Sequence, residues 1–212
     1  MNTVIASISL LISMLLLSSC GSAKLVQEYK NPDTEYFQAN KVLVVGISAD
    51  KEIRRTFEKR MSEELDDKGV IAVKSIDFFE SSFTDNSRSQ SQLDNIEQRL
   101  LEAGFDTILF TKVTGSESRF TAVDSYRNFT KYSQSYRDYF NENLHLYFKE
   151  QQERYQVYKT ETSLYCICPG KERELLWRGE IEVIDGDKVN RNIKAYIKIL
   201  MESLHENKLL VL

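Results

Sequence analysis

Histidine, proline and tryptophan are nearly missing from this chain: two, two and one among 212 residues, beside eight glycines and three cysteines. Two histidines leave the commonest catalytic base scarce, and no spacing singles out a carboxylate pair or a nucleophilic triad. With so little proline and glycine there is no room for a low-complexity linker. A phosphate-cradling G-x-x-x-x-G-K-[ST] stretch is absent. Gly46-Ile47-Ser48-Ala49-Asp50 stands between an apolar run and a helical one, where phosphate loops and nucleophile elbows occur. A dinucleotide fingerprint would need glycine where Ser48 and Lys51 stand, and an elbow would need it in place of Asp50, so helix capping by Asp50 is the plain reading. Excess basic charge is lacking too: 28 Lys and Arg face 32 Asp and Glu, for a net charge of −4 and a pI near 5.4. That balance provides no field to recruit nucleic acid or anionic lipid. The chain is therefore read as non-enzymatic, without cofactor or resident metal and with no nucleic-acid partner.

Long apolar runs are also lacking, with one exception. Val4 to Leu17 reads VIASISLLISMLLL without a charge, too short to span a bilayer but suited to the apolar part of an export signal. It stops at a cysteine. Leu17-Ser18-Ser19-Cys20 resembles the lipobox of bacterial lipoproteins, and the resemblance implies that residues 1–19 are a signal peptide and that Cys20 becomes the acylated first residue of the mature protein. An ordinary secretory peptide cleaved near Ser19 is the alternative. Each acyl methylene adds about 0.8 kcal/mol of membrane affinity, so two or three chains anchor stably where one would not. No Asp follows Cys20, which in the lipoprotein sorting pattern implies the outer membrane. An acidic run marking surface export is missing as well, so a periplasm-facing body is expected, with the cell surface as second choice.

Residues 20–40 are polar, are turn-prone at Asn31-Pro32-Asp33, and read as a tether of about 25 Å. Docking of the segment through Tyr29, Tyr36 and Phe37 is the alternative. From Lys41 to the carboxyl terminus one mixed α/β domain is expected. KVLVVGIS, Lys41 to Ser48, is apolar on both faces, as in a strand covered on both sides. A helix from Lys51 to about Lys68 follows, with Ile53, Phe57, Met61 and Leu65 on one stripe and Gly69 just past its end. Val70 to Phe79 reads as the next strand and Glu80 to Ser91 as a loop. A second helix carries Leu93, Ile96, Leu100 and Leu101 and stops at Gly104, before a third strand from Phe105 to Val113. This β-α-β-α-β order predicts parallel strands with right-handed crossovers. YQVYKTETSLYCI and ELLWRGEIEVID flank Cys168-Pro169-Gly170-Lys171 as an antiparallel hairpin. Trp177, Ile181 and Val183 share its inner face, and Glu180 and Glu182 an outer face expected to be wet. A closing helix, capped by Asp185 or Asp187, carries Val189, Ile193, Tyr196, Ile197, Leu200, Met201 and Leu204.

The stretches ETSLY, Glu161 to Tyr165, and ELLWRG, Glu174 to Gly179, ahead of a closing helix resemble the small bacterial envelope lipoproteins related to the curli-secretion lipoprotein. The amino-terminal domain of the Tol-system propeller protein is a more distant resemblance. The resemblance implies a mixed α/β domain and an envelope role, and it carries no catalytic residues.

Two side-chain groups remain. On a regular strand Cys166 and Cys168 point the same way, too far apart for a disulfide without a kink, so packed thiols are expected. A disulfide, or a Cys₂His₂ zinc site with His145 and His205, are the alternatives. Seven of the eleven tyrosines lie between Tyr126 and Tyr158, interleaved with Arg127 and Arg137, in an insertion at about 120–150. Tyr126, Tyr132, Tyr136, Tyr139 and Tyr147 serve either as a binding surface with those arginines or as packing on their own domain. The functions these features favour are an outer-membrane lipoprotein that binds or assembles, a ring-forming secretion subunit of curli type, and a glycan-binding lipoprotein. Its partners would be the membrane, through acyl chains on Cys20, and an envelope protein or further copies of the chain.

Overall fold

A computed structural model describes residues 23–79, 89–114, 157–168, 174–184 and 189–210. Six strands form one mixed sheet: β1 (Ala23–Lys30), β3 (Lys41–Ile47), β4 (Ile71–Lys74), β5 (Thr107–Thr114), β6 (Val157–Cys166) and β7 (Glu174–Ile184), in the order β1-β7-β6-β5-β3-β4. Strands β4, β3 and β5 are parallel, while β5, β6, β7 and β1 alternate in direction. The helices are α1 (Lys51–Asp66), the short α2 (Ser75–Phe78), α3 (Gln90–Glu102) and α4 (Val189–Glu206). Strands β2 (Phe37–Gln38) and β8 (Leu209–Leu210) add a small parallel pair.

From β3 the chain moves one way along the sheet to β4, then back across β3 to β5. Crossovers of one hand must then lie on opposite faces, and the packing agrees. Phe57, Met61 and Leu65 of α1 join Val42, Val44 and Leu109 on one face, whereas Leu93 and Leu100 of α3 join Leu43, Val45, Ile108 and Phe110 on the other. Strand β3 is buried on both sides for this reason. Helix α4 lies on the α1 face with Ile193, Tyr196, Ile197, Leu200, Met201 and Leu204 turned inward. Burial of a side chain of this size contributes about 1.5–3 kcal/mol, so α4 is held by its stripe.

The local signals behind these elements are visible. Asp50 caps α1 by accepting from the N–H groups of Glu52 and Ile53, and Ser89 with Gln92 forms a capping box on α3. Gly69 and Gly104 follow α1 and α3 with φ of 83° and 80°, values glycine adopts without the Cβ penalty.

Three expectations need correction. The stretch read as a tether contains an edge strand, since Ala23 to Lys30 pairs with β7. The register shifts at Val26 between Leu25 and Gln27, so alternation in the sequence is broken at that point. Asn31-Pro32-Asp33 does turn: the Asn31 side-chain oxygen accepts from the Asp33 N–H at 2.9 Å, and the Asn31 backbone N–H donates to the Leu176 carbonyl. Second, the strand expected from Val70 to Phe79 stops at Lys74 and becomes α2. The cause is Glu58 of α1, whose carboxylate accepts from the Ser75 hydroxyl at 2.7 Å and from the Ile76 N–H at 3.0 Å. Third, the outer face of the hairpin is polar and only partly wet: the Glu180 and Glu182 side chains are 19 % and 32 % exposed, while the part around Arg178 is covered. Arg178 is 1 % exposed, donating to Ser163 Oγ at 3.0 Å and to Tyr165 OH at 3.3 Å, while Lys112 pairs with Glu161 at 3.1 Å.

Trp177 and Gly179 explain part of the ELLWRG stretch. Residues two apart on a strand share a face, and the Trp177 indole lies over Gly179 so closely that a Cβ there would stand 2.1 Å from Cη2. Trp177 is fully buried, and its Nε1 donates to Glu28 Oε2 of β1 at 3.1 Å. Glu28 also accepts from Ser203 and Asn207 at the end of α4.

Candidate functional site

The carboxyl ends of β3 and β5 stand side by side at one end of the sheet. An apolar pocket of about 70 Å³ lies there between α1 and α4. Its walls are Ile53 and Phe57 from α1, Val113 and Val183 from the sheet, and Val189 and Ile193 from α4. Gly46 permits the closure, because a Cβ there would come within 3.2 Å of Phe57 Cδ1 and 3.3 Å of Arg54 Cγ.

Hydroxyl groups form the floor, and they satisfy one another. Thr111 Oγ1 lies 2.7 Å from Thr162 Oγ1, Thr162 bonds the Tyr196 hydroxyl, and Thr160 donates to the Ile181 carbonyl at 2.7 Å. Each of these hydroxyls has at least one hydrogen-bond partner within the protein. The cavity is left facing mostly methyl groups and hydrocarbon. Burial dominates at Tyr196, pushing its phenol from 10.0 up to about 12, against the lowering effect of the threonine hydrogen bonds. Tyr196 is therefore neutral at physiological pH, and its ring packs edge-on to Phe57 with centroids 5.9 Å apart.

Charge stands just behind the wall. Glu58 is fully buried and accepts from the Gly46 N–H at 2.9 Å and from Arg54 Nε at 3.0 Å, in addition to Ser75 and Ile76. Arg54 also donates to Ser75 Oγ at 2.9 Å. Its guanidinium is thus directed at the buried carboxylate, which fixes the ends of β3 and β4 to α1. Asp50 and Ser48 have equally local tasks: Ser48 Oγ accepts from the Asp50 N–H at 3.2 Å while Asp50 caps α1.

The residues singled out from sequence lie elsewhere. Cys20, Tyr126, Tyr132, Tyr136, Tyr139, Tyr147, Arg127, Arg137 and His145 fall outside the described residues. Cys166 and Cys168, expected as packed thiols, are joined in a disulfide. Their Cα atoms are 5.3 Å apart, less than the roughly 6.6 Å of two strand steps. Strand β6 ends at Cys166, which releases Ile167 and Cys168 from extended geometry. His205 is exposed on the last turn of α4, and among the described residues no group of three or more His, Cys, Asp or Glu is arranged to hold a metal ion. The pocket itself carried no sequence signal. Its lining comes from β3, α1, β5, β6, β7 and α4, and its threonines look like ordinary strand residues.

No protein-family model matches the chain, and no curated protein matches it. Among solved structures, the PelC dodecamer from Paraburkholderia phytofirmans is similar with a TM-score of 0.45 and 8% identity, over 88% of this chain and 98% of that one. A point variant of that dodecamer gives 0.43 and 8%, over 90% and 99%. Lipoprotein GNA1162 from Neisseria meningitidis gives 0.39 and 15%, over 78% and 99%. Scores below 0.5 at such identities carry no argument about function, and none of these three is named as a curli-secretion or Tol-system protein.

Proposed function

We propose that this is a lipid-anchored protein of the bacterial envelope that works by binding or assembly and not by catalysis, acylated on Cys20 and held at the outer membrane with its body toward the periplasm. The observation that carries the reading is the pairing of Ala23 with Val183. The folded sheet begins three residues after the lipobox cysteine, and it begins at the pocket end. Three residues span at most about 10 Å. The anchor is followed at once by an edge strand, and the pocket end of the domain is the end next to the bilayer. Thr114, Val157, Ile184 and Val189, where other connections leave and re-enter the fold, stand at that same end.

The test is Cys20→Ala in the native host, with an ordinary cleavable secretory signal in place of residues 1–19 so that no apolar leader is retained. Intact mass of the natural protein should show two or three acyl chains, and the variant should move from the membrane to the soluble periplasmic fraction. A natural protein without acyl mass, or a variant that stays on the membrane, contradicts the reading.

Assembly from several copies is the second reading, favoured by the sheet edge at β4. Ile71 on that edge strand is 59 % exposed, and an exposed apolar edge is a pairing surface. Molecular mass in detergent should exceed that of one chain and fall to it in Ile71→Lys; a monomer at micromolar concentration contradicts this reading.

A further inference from the structure

The pocket and the anchor are close together, and from that we propose that the pocket receives the end of one hydrocarbon chain carried on Cys20. This inference rests on the lipid-anchored reading above. Ala23 and Val183 are register partners on adjacent strands, so their side chains share a face and stand about 5 Å apart. Val183 is a wall of the pocket. Ala23 is itself buried on that face, in the same core as Val183 and Ile193. The chain leaving Ala23 toward Cys20 therefore emerges beside the pocket, within about 10 Å, and a fatty chain on Cys20 reaches it without any movement of the domain.

Chemistry selects the ligand. Of the polar residues around the pocket, Thr111, Thr160 and Tyr196 have hydroxyls bonded within the protein, Arg54 is held by Glu58 and Ser75, Ser48 accepts from Asp50, and Asn192 stands beside them, so the pocket offers few hydrogen-bonding groups to a sugar or a peptide. A volume of about 70 Å³ is far below the roughly 300 Å³ of an ordinary small-molecule site, and it suits a few methylenes. A linear hydrocarbon end meets both conditions. Covalent attachment close by gives it an effective concentration in the millimolar range without capture of a free lipid, and the cross-linking below separates it from a lipid drawn from the leaflet. With one chain held this way, the remaining acyl chains stay in the bilayer and keep the protein anchored.

Two measurements test this on the full chain. Cys20→Ala protein, which has no acyl chain of its own, should bind dodecanoate, raising the thermal midpoint by about 5–10 °C at a hundredfold excess over Kd. Val113→Trp, which fills the pocket from its partly exposed rim, should abolish that rise. Ile53→Trp fills it from the helix side and serves if the first variant is unstable. Secondly, acylated wild-type chain bearing a benzophenone photoprobe in place of Val113 is placed in vesicles of phosphatidylethanolamine and phosphatidylglycerol. Irradiation should join the β5 peptide to the acylated amino-terminal peptide. No dodecanoate effect on Cys20→Ala protein, or cross-links to vesicle lipid alone, would overturn the inference while leaving the anchor intact. Absence of acyl mass on the natural protein would instead remove the reading beneath it.

Discussion

Gly179→Ala puts one methyl group where the Trp177 ring already lies. The new Cβ would stand 2.1 Å from Cη2 and 2.4 Å from Cζ2, separations that only displacement of the indole can relieve. That ring is fully buried and donates to Glu28. Expelling it forfeits most of what a buried aromatic contributes, about 3–5 kcal/mol, and disturbs a hydrogen bond worth about 1 kcal/mol net. We expect a total loss of about 3–5 kcal/mol, or roughly 10 °C in Tm for a chain of this size. Trp177 is the only tryptophan, so its fluorescence reports both unfolding by urea and any change in its surroundings. The native emission of Gly179→Ala should shift to the red. In a double-mutant cycle followed by far-UV circular dichroism, Trp177→Leu removes the clash together with the only tryptophan, and Gly179→Ala on that background should cost under about 1 kcal/mol, because alanine is otherwise the better strand residue. Additive losses, or an unshifted Gly179→Ala within about 1 kcal/mol of wild type, would refute the argument.

Two further perturbations probe the ground around the pocket. The phenol of Tyr196 is raised to about 12 by burial, so the folded state holds its proton where the unfolded chain gives it up. Stability from this group is fully present below pH 10 and falls between pH 10 and 12 by about 3 kcal/mol; Tyr196→Phe should flatten that part of the urea-midpoint profile, and an unchanged slope would contradict the assignment. Glu58→Ala removes the acceptor shared by Gly46, Arg54, Ser75 and Ile76. A loss of about 3–5 kcal/mol is expected, with faster amide exchange at Gly46 and Ile76, and a loss under 1 kcal/mol would show that the carboxylate is dispensable.

Elements with their own local code were legible in the sequence. Helix α1 carries a cap at Asp50, an apolar stripe and a stop at Gly69, and α4 has the widest stripe, so both could be read without knowing their neighbours. The hairpin and the parallel order of β3, β4 and β5 followed from apolar patterning and turn residues. What escaped depends on partners distant in the chain. Strand β1 is polar and interrupted at Val26, and it exists because β7 offers an edge to pair with. The end of β4 is decided by Glu58, twelve residues before Val70 in sequence yet bonded to Ser75 and Ile76 in space. Arg178 looks like a solvent-facing strand residue until Ser163 and Tyr165 are seen beneath it. The pocket drew on six elements at once, and no short stretch of sequence contains it.

The most direct measurement is the height of the two ends of α4 above the bilayer. Eighteen residues of helix span about 27 Å, from Val189 beside the pocket to Glu206 at the far end. Val189→Cys and, as the distal control, Lys208→Cys are labelled with a fluorophore in acylated protein bound to vesicles, Cys20 being blocked by its lipid and Cys166 and Cys168 by their disulfide. A quencher at the lipid headgroups should extinguish the label at 189 strongly and the label at 208 weakly. Equal quenching at both positions, or the reverse order, would contradict a short leash that turns the pocket toward the membrane.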